Sequence, residues 1–238
     1  MHPVESVREL GVDAFVTDRF NGVSEGPFES LNLGDHVGDD VVAVHENRRR
    51  VAEAIGVSAA RLITVRQVHG SNVLDARAVD ESSQADAIVS DESDVALAIL
   101  VADCLPLLLV DDSTSRFALV HAGWRGLAAG TIAATLARFA DVRRVHAFIG
   151  PSISLEGYQV GPEVARLFAD VPRAVLADGG DRSRLDLRQV ATTQLLDGGV
   201  PDQQIVCSRD VTDGGEVFFS DRAQRPCGRF ALVARRAS

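Results

Sequence analysis

With 238 residues, 46% of them hydrophobic and 24% charged, the chain has the make-up of a folded globular protein, long enough for one large domain or two small ones. Its formal net charge of −10 argues against a nucleic-acid surface, which needs basic patches to neutralise phosphates. All 24 basic residues are arginine, which rules out Schiff-base and P-loop lysine chemistry.

Residues 1–20 alternate apolar and charged side chains without the apolar core of a signal peptide. The longest apolar run, around Val95–Val110, is broken by Asp103 and Pro106, so no membrane span is expected. Residues 11–38 carry turn formers (Asn21-Gly22, Gly26-Pro27, Gly34, Gly38) and read as an irregular surface segment. A helix is predicted from Val41 to Ile55, capped by Asp39 or Asp40 and ended by Gly56. Its apolar stripe is Val41, Val44, Val51 and Ile55, and Arg48 shares that face. An arginine there needs either an internal salt bridge or an anionic ligand. Strand-like runs follow at Leu62–Val68, Ala87–Val89, Val95–Val101, Leu105–Val110, Phe117–Val120 and Val145–Ile149, with a helical stretch over Leu127–Ala140. Helices near Pro162–Ala169 and Leu187–Leu196 and strands at Gln204–Cys207 and Phe230–Ala234 complete the chain. The mixture lacks strict alternation, repeats and linkers. It predicts an α+β fold, a single-domain layered α/β sandwich with mixed β-sheets over residues 1–238.

Three residues with metal-binding side chains follow predicted strands: His69 after Leu62–Val68, Cys104 after Val95–Val101 and His121 after Phe117–Val120. Strand ends can bring such groups to one point, and two histidines with one cysteine suit catalytic zinc with a fourth position open. Their spacing matches no compact zinc-finger pattern. On residues alone, hydrogen-bonded histidines with an inert thiol, or a Cys104–His121 nucleophile pair, stay open beside the metal site. The odd count of Cys104, Cys207 and Cys227 suits reduced thiols in a cytoplasmic protein. The segment His121-Ala122-Gly123-Trp124-Arg125-Gly126 joins a strand to a helix start, where amides and Arg125 favour an anion. His36, in the glycine-rich loop, is a further candidate to approach the site.

Four motifs then occur in order: Gln67-Val68-His69-Gly70, Ala102-Asp103-Cys104-Leu105-Pro106, His121-Ala122-Gly123-Trp124-Arg125-Gly126 and Ile149-Gly150-Pro151-Ser152-Ile153. With Ser30-Leu31-Asn32-Leu33-Gly34, Asn47-Arg48, Tyr158, Val160-Gly161, Phe218-Phe219-Ser220 and Gly228-Arg229, the chain resembles the YfiH-type proteins from Gly22 to Arg229. These were long described as a laccase domain or multicopper polyphenol oxidase. The resemblance implies an α/β/β/α-like sandwich and a zinc-dependent purine nucleoside phosphorylase that also deaminates adenosine. It implies zinc on His69, Cys104 and His121, and a purine nucleoside and inorganic phosphate as partners. The same fold group includes a toxin deamidase with a cysteine–histidine pair, which keeps a hydrolase alternative open, as does a non-catalytic zinc protein. Three departures stand in this chain: Gln159 where glutamate is usual, Asp221-Arg222-Ala223 for Tyr-Arg-Arg, and Cys227 for threonine.

Copper oxidase chemistry fits poorly, since several coppers need roughly ten histidines and a blue-copper axial methionine. The chain has six histidines, no His-x-His pair, and Met1 as its one methionine. The nucleobase-deaminase signature, His-x-Glu with Pro-Cys-x-x-Cys, is absent, so any deamination would use another arrangement. For phosphorolysis the expected catalytic group is Cys104, His121, Asp103 and Arg48, with Asp103 serving acid–base chemistry or orienting a ligand. Substrate contacts are expected from Asn32, Arg48, Arg125, Tyr158 and Phe219.

Overall fold

The computed structural model describes residues 1–237. Two mixed sheets lie face to face. The first has five strands in the order His2–Pro3, Val12–Val16, Phe230–Arg236, Ala96–Val101 and Leu62–Ile63. The second has six: Ile205–Cys207, Val145–Ile149, Leu105–Asp111, Phe117–Ala122, Ala87–Ser90 and Val73–Asp75. A small third sheet pairs Gln159–Val160, Ser183–Leu185 and Val175–Ala177.

Side-chain parity explains the layers. Leu108, Val110, Phe117 and Leu119 from the second sheet meet Leu97, Ile99 and Val101 from the first in one buried core. Leu105, Leu107, Leu109, Ala118 and Val120 point the other way, onto helices that include Thr131–Leu136 and Leu187–Asp197. On the outer face of the first sheet, the small side chains Ala96, Ala98 and Ala231 leave room for Val51 and Ile55 of the Val41–Ile55 helix. The central strands are thus apolar on both faces, as strands buried on both sides must be. The result is the layered sandwich expected from the sequence.

Three local expectations are corrected. The Leu62–Val68 run is a strand only at Leu62–Ile63. Beyond it, the Gln67 amide takes over the pairing, accepting from Leu100 N at 2.8 Å and donating to Leu100 O at 2.7 Å. The Leu127–Ala140 helix is instead two, Trp124–Ala128 and Thr131–Leu136, because Gly130 adopts the left-handed region (φ 80°) and breaks the ladder. Residues 11–38 are not purely surface. They contain the Val12–Val16 strand and the buried Leu31 and Leu33. Among the described residues, no helix is long and apolar enough to cross a membrane.

Candidate metal centre

The chain crosses between the two sheets once within three residues, Ala102-Asp103-Cys104, between Val101 and Leu105. Asp103 makes this corner in the left-handed region (φ 82°), a conformation that aspartate tolerates better than most residues. Its carbonyl accepts from Ile153 N at 3.0 Å. Its two carboxylate oxygens accept from Thr212 Oγ1 at 2.6 Å and from Arg222 N at 2.7 Å. Cys104 therefore emerges at a fixed corner on the rim of the inter-sheet core.

His121 reaches the same place by parity. It lies inside the Phe117–Ala122 strand, rather than after it, on the face that carries Phe117 and Leu119. Its Nδ1 is 2.8 Å from Asp86 Oδ1, which leaves Nε2 as the free nitrogen. His69 stands on the loop after Gln67, also left-handed (φ 59°). Its ring meets that of His121 edge-on, with centroids 4.6 Å apart, and its Nε2 is 3.9 Å from Cys104 Sγ.

The donor atoms of His69, Cys104 and His121 all lie within 4.8 Å of one another. Neighbouring ligands of a tetrahedral zinc stand roughly 3.3–3.6 Å apart, given metal–ligand bonds near 2.0–2.3 Å. The cluster approaches that spacing. Gly123 leaves it open: a Cβ there would come within 2.8 Å of Cys104 Sγ and 3.1 Å of His69 Cδ2. Two imidazoles and a thiol with a shared open side are compatible with a bound metal ion.

The electrostatics favour the charged pair. Burial alone would push the Cys104 thiol up, but His121 and His69 beside it bring it down to about 6. Burial alone would push the His121 imidazole down, but Cys104 and Asp86 raise it to about 9. Asp86 itself is held below the usual carboxylate range; its burial opposes this, and His121 with the Gly70 and His69 amides outweighs it.

The centre opens onto a cavity of about 1220 Å³, larger than the roughly 300–1,000 Å³ usual for a small ligand. Six arginines (48, 66, 125, 222, 225 and 229) line it against five acids (35, 80, 81, 103 and 221), so it runs against the −10 charge of the whole chain.

A family model described as multi-copper polyphenol oxidoreductase laccase matches residues 13–237. The chain belongs to this family. The purine nucleoside phosphorylase YfiH of Escherichia coli (strain K12) is 37% identical over 226 residues, covering 93% of this chain and 92% of that one. The purine nucleoside phosphorylase SCO2081 of Streptomyces coelicolor is 40% identical over 225 residues, covering 90% and 91%. Among solved structures, YlmD from Geobacillus stearothermophilus matches with a TM-score of 0.90 at 32% identity, over 96% of this chain and 93% of that one.

In this laccase-family chain, the cavity wall gathers some of the residues nominated from sequence and omits others. Arg48, Asp103, Cys104, His121, Arg125 and Tyr158 line it with His69, and His36 joins them. Arg48 takes the internal salt bridge: Nε donates to Leu33 O at 2.9 Å and Nη2 pairs with Asp35 at 3.1 Å, while the side chain also lines the cavity. Arg125 lies over the Trp124 ring at 4.3 Å. Burial and the nearby Cys104 push the Tyr158 phenol up to about 12, so it stays protonated.

Two nominated substrate contacts lie off the wall. Asn32 is fully buried: its amide accepts from Gly34 N and Arg229 N and donates to Gly34 O and Asp39. Phe219 is buried with Gly228 against its ring and Arg19 stacked at 4.8 Å. Both brace the wall from behind. Sequence reasoning missed Asp86, Gln67 and Arg222. Asp86 left one faint signal, a lone acid at the head of the apolar run Ala87–Val89.

Proposed function

We propose that the chain is a zinc-dependent purine nucleoside phosphorylase whose active site is the His69–Cys104–His121 centre and the arginine-lined cavity beside it. The observation that carries this reading is the convergence of three metal donors within 4.8 Å on the wall of a cavity wide enough for two substrates. Relatives named purine nucleoside phosphorylases, matching over most of this chain, support it.

In phosphorolysis a phosphate oxygen forms a bond to C1′ of the nucleoside as the C1′–N9 bond breaks. The electron pair leaves with the base, which takes up a proton. Zinc, when bound, supplies a Lewis acid that attracts an anionic or carbonyl oxygen. Arg48, which lines the same cavity and is oriented by Leu33 O and Asp35, holds phosphate. Arg125 adds a second positive charge, with its guanidinium fixed on Trp124. The neutral Tyr158 presents a ring face to the base or ribose, and Arg222 over that ring at 5.4 Å closes the wall. Asp103 has both carboxylate oxygens engaged, so its part is to orient Cys104 rather than to move a proton.

The test is product analysis with zinc-loaded protein on adenosine, inosine, guanosine and methylthioadenosine, with and without phosphate. We expect free base and a ribose 1-phosphate, formed only with phosphate. Turnover in Cys104→Ala should fall about 100-fold or more, the scale expected when a reacting geometry is displaced. No phosphate-dependent product from any of the four, or wild-type turnover by Cys104→Ala, sinks the proposal. Inosine formed from adenosine without phosphate would add deamination to the same site.

A second reading rests on the ordered Cys104, His121 and Asp86, which is also the arrangement of a cysteine hydrolase. That reading predicts activity that survives chelation and the His69→Ala change, whereas the metal reading predicts loss in both.

A further inference from the structure

Phosphorolysis as described gives no task to Asp86, although it is wholly buried beside the centre. Asp86 precedes the Ala87–Ser90 strand, whose antiparallel pairing sets Ala87 opposite Val120 and so brings Asp86 beside His121. Its backbone carbonyl accepts from His121 N at 2.7 Å, which continues the ladder. Its Oδ1 accepts from His121 Nδ1 and from His69 N, both at 2.8 Å. Its Oδ2 accepts from Gly70 N at 2.6 Å, with Val68 N at 3.4 Å. A carboxylate ordinarily seeks solvent or a cation. This one is buried, and its side-chain bonds go to His121 and to the loop that carries His69.

We propose that Asp86 is the positioning residue of the metal centre, setting both histidine ligands at once. An ionised carboxylate can only accept, so His121 must keep a proton on Nδ1, which leaves Nε2, facing Cys104 and His69, as the nitrogen that would bind a metal. The same group gathers the amides of Val68, His69 and Gly70 and thereby holds His69 in its left-handed backbone. Gly126 closes the loop from outside, where a Cβ would come within 3.1 Å of Gly70 O. The centre is therefore formed before any metal arrives. The inference rests on reading the three residues as a metal site.

Asp86→Asn is the informative variant, because it keeps the size and loses one acceptor. Its NH₂ must take either the Oδ1 position, against His121 Nδ1 and His69 N, or the Oδ2 position, against Gly70 N and Val68 N, and either choice breaks part of the arrangement. We expect the zinc dissociation constant, measured by competition with a chelating dye, to rise about 10- to 100-fold. Asp91→Asn, which disrupts the remote Arg116 pair, serves as the control for general destabilisation and should leave zinc affinity unchanged. Imidazole ¹⁵N shifts of the zinc-loaded wild type should show His121 protonated at Nδ1 and bound through Nε2, and cobalt-substituted Asp86→Asn should show an altered visible spectrum.

Wild-type zinc affinity in Asp86→Asn overturns the proposal. So does a wild-type spectrum with His121 bound through Nδ1, which needs no variant to fold. Failure of the wild type to take up zinc overturns the metal reading and this proposal with it. Normal uptake by wild type with an unaffected Asp86→Asn overturns this proposal alone.

Discussion

Cys104 and His121 meet where burial and charge pull in opposite directions. Burial disfavours both ionised forms, yet each stabilises the other, and Asp86 backs the imidazole. With the thiol near 6 and the imidazole near 9, the apo centre holds a thiolate beside an imidazolium at neutral pH. A metal needs the thiolate but a neutral imidazole. The proton that zinc displaces at roughly pH 7.5 is therefore His121's, and Cys104 has none to lose. Zinc affinity should rise about tenfold per pH unit as pH climbs toward 9 and level off above it. Below 6 it should fall more steeply, as the thiolate is also lost. Calorimetric titration at roughly pH 7.5, in buffers of different ionisation enthalpy, should count about one proton released. Two would mean that the thiol is not ionised. At this scale the candidate ligands could be nominated from their chemistry and place, while Asp86 could not, because a lone acid before an apolar run has no signature until register sets it opposite His121. Asn32 shows the converse: residue type cannot tell an amide facing a substrate from one satisfied inside the fold.

The Val41–Ile55 helix shows how far one element can be read from local chemistry. Asp40 accepts from Val42 N at 2.9 Å and Gly56 ends the helix in the left-handed region, as its cap signals predict. The stripe is less faithful: Val44, Val51 and Ile55 are buried, but Val41 is exposed and the polar Asn47 is fully buried. Asn47 accepts from Val23 N and lies within hydrogen-bond distance of Ser24 Oγ, Ser30 O and Asn32 O. It ties the helix to the loop that carries Leu33 and Asp35, the partners of Arg48. Asn47→Ala leaves several of these groups buried and unpaired, which costs about 2–3 kcal/mol. In a chain of this size that lowers Tm by about 5–10 °C. Scanning calorimetry checks it, and a drop below about 2 °C would show that the loop is held by other contacts.

The centre draws Cys104 from the crossing between the sheets, His121 from within the second, and His69 from a loop tied to the first through Gln67. None of the three candidate ligands is among the buried members of the apolar cores, and only Cys104 packs against one, from its rim. Chelation should therefore abolish turnover yet leave far-UV circular dichroism unchanged and unfolding cooperative, with Tm lowered only by the lost binding energy. Loss of tertiary structure on chelation would mean that the metal builds the fold rather than occupying it. The cavity charge also belongs to this scale, since Arg48, Arg66, Arg125 and the Arg222–Arg229 segment are brought together from separate parts of the chain.

What residues alone determined is what depends on near neighbours. Helix caps, the buried strands from Ala87 to Ile149, the lack of lysine chemistry, and the identity of His69, Cys104 and His121 as candidates all follow from local pattern and side-chain type. Tertiary structure decided the rest. The Val12–Val16 strand exists because Phe230–Arg236 pairs with it. The Leu62–Val68 run is cut short because a side chain, Gln67, replaces the ladder. The three ligands converge, and Asp86 stands behind two of them, because strand register and sheet stacking bring together residues that sequence separates. Such long-range pairings carry no local energy of their own, so no local signal records them.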